Sequence, residues 1–230
     1  MKQFIEVNIN GEVAVKLNPE WKKKIQNEKY KYYLQESGIP SDYWSLEFHH
    51  AGKGSNDRSV EHCKNYIAKL KKKTKKNLYL YGLNSTGKTT AMCAIGKEAI
   101  REGLKVRFTQ AAYLLNILQK TSGYGSDEIY ESEKKKLINC DLLLVDELFD
   151  STKSLLWKGE SRNLIVAEWD AFLRSFLSSD KRIVCTSNIL VDRIGTDYST
   201  SLFELIDRNF MVLKFTESVK EDRKKHVNES

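Results

Sequence analysis

Apolar and polar positions along the chain follow two periods that take turns. From residue 4 to 17 they alternate one by one: Phe4, Ile5, Val7 and Ile9 lead out, and Val13, Val15 and Leu17 lead back. Asn10-Gly11 between them is a favoured type I′ turn, so a β-hairpin is expected. Pro19 then opens a helix over residues 20–35, rich in Lys and Tyr, whose faces read as solvated. Gly38-Ile39-Pro40 breaks it, and Ser41-Asp42 can cap the next short turn. Residues 45–58 are polar and read as a loop. Over residues 58–73 the period is helical, with Val60, Cys63, Ile67 and Leu70 on one face. Beyond that point short apolar runs alternate with helical stretches. The runs at 78–81, 104–109, 140–147, 183–188 and 210–215 predict strands. The stretches at 89–101, 111–120, 162–177 and 202–209 predict helices, with Leu114, Leu115 and Leu118 inward in the second and Leu164, Ala167, Phe172 and Phe176 apolar in the third. Residues 121–131 read as a polar, Gly-containing loop, 150–159 as a connector and 218–230 as a charged, frayed tail. Strands alternating with helices predict an α/β fold with a parallel sheet covered on both faces.

Composition narrows this picture. The chain has 230 residues, 40% of them hydrophobic, with two prolines and twelve glycines, enough for one α/β core and a small appendage. The longest aliphatic stretches are far too short to span a bilayer, and the first fifteen residues lack a signal-peptide core, so a cytoplasmic protein with no membrane contact is expected. The four cysteines are widely separated and form no C-x-x-C pair, which argues against zinc. His49-His50 suggests metal only in isolation, since the further ligands are missing. The net charge of +7 fits an ordinary basic surface or a polyanionic partner such as nucleic acid. The densest basic run is Lys69, Lys71, Lys72, Lys73, Lys75 and Lys76, which suits either a helix C-terminus or phosphate contacts.

Candidate chemistry enters at the first of the buried runs. Residues 82–89 read Gly-Leu-Asn-Ser-Thr-Gly-Lys-Thr, the pattern G-x-x-x-x-G-K-[ST] between a strand and an Ala-rich helix. The glycines let the backbone curl so that N–H groups converge on a polyphosphate, and the following helix aims its positive end at it. Gly82, Asn84, Ser85, Thr86, Gly87, Lys88, Thr89 and Thr90 are the expected nucleotide contacts. Lys88 would reach the β- and γ-phosphates, and the Thr89 hydroxyl would sit on Mg²⁺. The aliphatic run ending in Asp146-Glu147 supplies the second half: Asp146 for Mg²⁺ through its water shell, and Glu147 to orient and deprotonate a water. A small-molecule kinase has no need of that second acid, and the Asn-Lys-x-Asp that reads guanine is absent from the sequence, so ATP hydrolysis is expected. Asn188, at the tip of the fourth run, could place its amide between that water and the γ-phosphate, although Thr-Ser-Asn at a strand end is also ordinary turn chemistry.

Taken together, these motifs resemble the AAA+ ATPases of the helicase-loader branch (the DnaC type) and its insertion-sequence relatives (the IstB type). The resemblance rests on residues 82–90, on Leu-Leu-Leu-Val-Asp-Glu-Leu at 142–148, on Ile-Val-Cys-Thr-Ser-Asn at 183–188 and on Ser37-Gly38-Ile39-Pro40, and it covers residues 37–223. It implies a P-loop three-layer sandwich with a parallel five-stranded sheet of order 5-1-4-3-2 and no lid domain. It divides the chain into an N-terminal hairpin-plus-helix extension at 1–37, an ATPase core at 38–217 and a tail at 218–230. Asn188 becomes the sensor 1 residue, and Arg208 the arginine that reaches a neighbouring subunit's γ-phosphate, with Arg193 as the fallback. Family members usually carry Ser-Arg where this chain has Asp207-Arg208, so an adjacent acid could hold the arginine back. The implied cofactors are ATP and Mg²⁺. The implied partners are a replicative hexameric helicase bound through the extension, single-stranded DNA on the basic surface (residues 121–136 being one candidate) and further copies of the chain. The short, Lys-rich form suggests a phage-encoded member. A transposition helper on double-stranded DNA and an ATP-switched assembly module are the alternatives.

Overall fold

The structure, a computed structural model, describes residues 3–9, 12–52, 56–72, 76–121, 128–149 and 160–218. The expected Asn10-Gly11 turn, the connector at 150–159, Lys73 and Lys75 of the basic run, and the tail from 219 onward lie outside the described residues.

The chain opens on a hairpin of β1 (Phe4–Ile9) and β2 (Glu12–Leu17), antiparallel with Phe4 opposite Leu17. Asn18 closes it by donating its N–H to Gln3 O at 2.9 Å, then caps α1 (Pro19–Glu36) by accepting the Glu20 N–H on its side chain. The end of α1 is fastened to the rest of the molecule. Leu34 is buried, and Ser37 O accepts the Phe108 N–H at 2.7 Å. Residues 45–52 of the segment at 45–58 read as a loop are built more tightly than their composition suggests. They hold a 3₁₀ turn at Phe48–His50, with Phe48 and Ala51 in the core, and His50 Nδ1 accepts the Glu47 N–H at 2.9 Å.

The core then runs α2 (Asn56–Lys71), β3 (Asn77–Gly82), α3 (Lys88–Arg101), β4 (Val106–Gln110), α4 (Ala111–Thr121), α5 (Glu128–Ile138), β5 (Leu142–Asp146), α6 (Glu160–Leu177), β6 (Arg182–Ser187), α7 (Val191–Asp197), α8 (Thr200–Asn209) and β7 (Phe210–Phe215). The five core strands are parallel, in the order β4-β5-β6-β3-β7. Counted from β3 as first strand this is 5-1-4-3-2. Successive residues of each strand face opposite sides, so the apolar runs feed two cores. Leu78, Leu80, Leu142, Leu144 and Val184 pack with α2, α3 and the end of α1. Tyr79, Leu143, Val145, Ile183 and Cys185 pack with α4, α6 and α8. The result is a three-layer sandwich.

Two helices were not expected. α5 starts inside the presumed loop at 121–131; it buries only Leu137 outright, too little to show as a periodic stripe. α7 has seven residues around the buried Ile194. No helix among the described residues is long and apolar enough to cross a membrane.

Candidate nucleotide-binding site

Parallel order places the C-terminal ends of β3, β6 and β5 side by side, the position where open α/β sheets bind ligands. Each end carries one of the predicted groups. β3 delivers the Gly82–Thr90 loop. Gly82 has φ +152°, and a Cβ there would lie 1.9 Å from Phe215 O, so only glycine lets the strand leave the sheet beside β7. Gly87 caps α3 with φ +89° and packs on Ala51, whose carbonyl oxygen would be 2.8 Å from an added Cβ. Ser85 is also left-handed, at φ +62°. Such turns let successive N–H groups converge on an anion, and α3 starts at Lys88 with its positive end toward the loop.

Inside the curl the Lys88 ammonium donates to Gly82 O at 2.8 Å, Leu83 O at 2.7 Å and Asn188 Oδ1 at 2.9 Å. Asn188 also donates through Nδ2 to Asn84 Oδ1 at 2.7 Å, so the tip of β6 is bonded to the loop at two points. On the other side of β6, the Thr89 hydroxyl donates to Asp146 Oδ1 at 3.0 Å. A hydroxyl and a carboxylate oxygen that close, beside a polyphosphate cradle, fit a small hard cation that keeps most of its waters and takes one or two protein oxygens. Among the described residues no group of three or more His, Cys, Asp or Glu could hold a metal, so phosphate and water oxygens would complete the shell. Glu147 follows in a left-handed conformation, φ +60°, and is exposed.

Arg208 is not part of this cluster. It stands on α8 two residues before Phe210, which pairs with Asn77 at the opposite end of β3 from the loop. At about 3.3 Å per residue, β3 alone separates Arg208 from its own site by roughly 16 Å. Its partner is Glu204, at 3.0 Å, and not the neighbouring Asp207, because residues four apart share a helix face and adjacent residues do not. Arg193, on α7, pairs with Asp197 at 3.0 Å.

Sequence reasoning missed three supports. Asn56, wholly buried at the start of α2, donates to Thr86 O at 3.1 Å and Glu217 O at 2.9 Å and accepts from Thr216 N and Glu217 N. It thus ties the phosphate loop to the chain leaving β7. An Asn ahead of an apolar-periodic stretch is a helix-cap signal, and nothing more in the sequence marks it. Thr186, also buried, bonds Asp146 through its hydroxyl. Lys97 looks like a surface lysine of α3 but is fully buried. It donates to Trp44 O at 3.0 Å and to Leu46 O, with Glu47 Oε1 at 3.4 Å. Burial pulls its pKa below the ordinary lysine value, against the opposing pull of Glu47.

Comparison with curated proteins gives no match. Among solved structures, the chain is similar to AMPPCP-bound DnaA from Aquifex aeolicus (TM-score 0.59, 18% identity, 80% of this chain and 56% of that one). It is similar to the DnaC helicase loader (TM-score 0.55, 17% identity, 76% of this chain and 99% of that one). It is also similar to DnaI (TM-score 0.60, 15% identity, 77% of this chain and 94% of that one). These likenesses show the fold, and the chain spans little more than half the length of that DnaA structure, 56%, and of a structure described as a DNA replication initiation factor, 53%. The family model described as IstB-like ATP binding protein matches residues 21–154, more than half of the chain and the whole stretch from α1 through the phosphate loop to the acids of β5. The chain therefore belongs to the IstB-like ATP-binding family.

Proposed function

We propose that the chain binds Mg²⁺ and ATP at the boundary between copies of itself, hydrolyses the ATP, and uses the cycle to place a replicative DNA helicase on single-stranded DNA in the cytoplasm. The observation that carries the hydrolytic part is the convergence of Lys88, Thr89, Asp146 and Asn188 at one end of the sheet. In this reading Gly82, Asn84, Ser85, Thr86, Gly87 and Thr90 shape the phosphate cradle and Lys88 binds the β- and γ-phosphate oxygens. Thr89 and Asp146 hold Mg²⁺, which when bound offsets charge developing on those oxygens. Glu147 takes the proton of a water whose oxygen bonds the γ-phosphorus as the β,γ-bridging bond breaks, releasing ADP and phosphate. Asn188 orients that water, and Arg208 of a neighbouring copy approaches the γ-phosphate from outside.

The loading role is supported by the motif resemblance, by the likeness to the DnaC helicase loader over 99% of that chain, and by the net charge of +7. The extension at 1–37 is assigned to partner capture, residues 38–217 to the ATPase core and 218–230 to a charged tail. The decisive measurement is ATP turnover with and without single-stranded DNA and the cognate helicase. Stimulation by both is expected, and indifference to both overturns the loader reading. Glu147→Gln should lower turnover by roughly 10²–10⁴-fold while nucleotide still binds; a variant that keeps full biological activity would identify an assembly switch instead. The family's IstB-like character favours one second reading, a transposition helper on double-stranded DNA, which recovery of a transposase in place of a helicase in an ATP-dependent pull-down would select.

A further inference from the structure

β6 lies between the strand that delivers the phosphate loop and the strand that delivers the acids, and Thr186 is its last residue but one. Its side chain is 1% exposed. The ordinary reading of a buried β-branched residue in a central strand is core filling, which valine would do equally well. The hydroxyl is what valine lacks, and it is engaged both as donor and as acceptor. Oγ1 donates to Asp146 Oδ1 and accepts the Glu147 N–H at 3.0 Å, while the carbonyl of Thr186 accepts the Leu148 N–H at 2.8 Å. One residue therefore bonds the side chain of the first acid and the main-chain N–H groups of the second acid and of the residue after it.

Two consequences follow. Asp146 Oδ1 receives two hydroxyls, Thr186 from the neighbouring strand and Thr89 from the first turn of α3, so the rotation of the carboxylate is set by β6 as well as by the helix that carries Thr89. Glu147 holds φ +60°, a conformation that a non-glycine residue keeps only where its surroundings over-determine it. The Thr186 bonds to Glu147 N and Leu148 N are those surroundings, and they fix where the Glu147 side chain leaves the backbone.

We propose that Thr186 is a positioning residue for ATP hydrolysis: its hydroxyl orients the Asp146 carboxylate toward the metal side of the cleft and holds the left-handed turn that aims Glu147 at the γ-phosphate. The proposal rests on the roles given above to Asp146 and Glu147. Outer partners of a metal-binding carboxylate change metal affinity or activity by roughly 10–100-fold when removed. Thr186→Val keeps the shape and removes the hydroxyl; Thr186→Ser keeps the hydroxyl.

The test compares these two variants with wild type, Asp146→Asn and Glu147→Gln in the full chain. It measures turnover, the Mg²⁺ concentration needed for tight binding of a fluorescent ATP analogue, and the affinity for that analogue in EDTA. Thr186→Val should lower kcat and raise the Mg²⁺ requirement, each by roughly 10–100-fold, with metal-free affinity unchanged and Thr186→Ser close to wild type. Should Thr186→Val fail to give folded protein, Thr186→Ala carries the same comparison. Wild-type kcat and Mg²⁺ dependence in the hydroxyl-free variant overturn the proposal. So does an equal loss in Thr186→Ser, or a loss of metal-free affinity, which would mark a merely structural role. If Asp146→Asn and Glu147→Gln are impaired while Thr186→Val is not, only the proposal for Thr186 falls. If neither acid variant is impaired, the reading of the whole site falls with it.

Discussion

Replacing Asn56 with alanine tests whether the phosphate loop depends on a clamp from outside its own motif. The side chain is wholly buried and uses its full amide capacity, two donors and two acceptor lone pairs, on Thr86 O, Glu217 O, Thr216 N and Glu217 N. Truncation leaves four main-chain groups without it. Thr216 and Glu217 are exposed and can turn to water, but Thr86 is 2% exposed, so its carbonyl bears most of the desolvation cost, about 1–3 kcal/mol. Adding a small cavity and the weaker loss at the exposed partners gives about 2–4 kcal/mol, a large share of the 5–15 kcal/mol typical of a domain. Urea unfolding with unchanged m-value should show that loss, and the affinity for ATP should fall by about tenfold, or 1.4 kcal/mol, as the loop loosens. Asn56→Asp sharpens the test. It keeps the acceptor for the two N–H groups but turns a carboxylate oxygen toward two carbonyls, so at neutral pH it should be at least as damaging as alanine. Its folded-state pKa would be raised, so its deficit should shrink as the pH falls and the carboxyl regains a proton to donate. An Asn56→Ala protein with a wild-type urea midpoint and wild-type ATP affinity would refute the clamp.

Gly82→Ala should destabilise by at least about 3 kcal/mol, seen as loss of soluble protein or a lower urea midpoint, since the new Cβ would lie 1.9 Å from Phe215 O at φ +152°. Burial pushes the Cys63 and Cys140 thiols up to about 12 and Cys185 well above the ordinary value. The unfolded chain titrates near 8.5, so the stability these neutral thiols contribute is complete below that pH. It is lost as pH rises toward 12, at up to about 1.4 kcal/mol per pH unit for each thiol. The alkaline slope of the urea midpoint should therefore be shallower in Cys63→Ala than in wild type. Arg208→Ala breaks only an exposed pair with Glu204 and should leave stability within about 0.5 kcal/mol and nucleotide binding intact. It should lower turnover of the assembled protein by roughly a thousandfold, and mixing it with Glu147→Gln chains should restore part of the rate, because one complete interface can form.

The sheet was legible where burial is two-sided. Leu142 to Asp146 and Leu78 to Leu80 have no solvent face, so their sequence has no polar interruption to confuse the reading. The helices that went unread are those that give the core little. α5 spends eleven residues to bury Leu137, and its charges, Glu133 with Lys136 at 2.7 Å among them, satisfy one another on the surface. The segment ahead of α2 failed for a different reason. Phe48 and Ala51 reach the core from a 3₁₀ turn, where neither the period of a helix nor that of a strand applies, and Ala51 is buried because Gly87 packs onto it.

The site divides along the same physical line. Gly82, Lys88, Thr89, Asp146 and Glu147 stand out in the sequence because the phosphate, metal and water chemistry proposed for them dictates both residue type and spacing within two short stretches. Asn56 and Thr186 do work of equal geometric weight, but their partners are 30 and 161 residues away in one case and 40 and 39 in the other. What selects them is the strand order, which sets β6 against β5 and carries the end of β7 back over the phosphate loop. A polar residue becomes a support of this kind only after the fold has buried it beside a main-chain group that would otherwise go unpaired. Lys97 shows how strong that selection can be, since a lysine is held without solvent contact by the carbonyls of Trp44 and Leu46. In the proposed function the motif residues would determine which chemistry the cleft performs, while Asn56, Thr186 and Lys97 would determine whether the loop, the acids and α3 hold the geometry that chemistry needs.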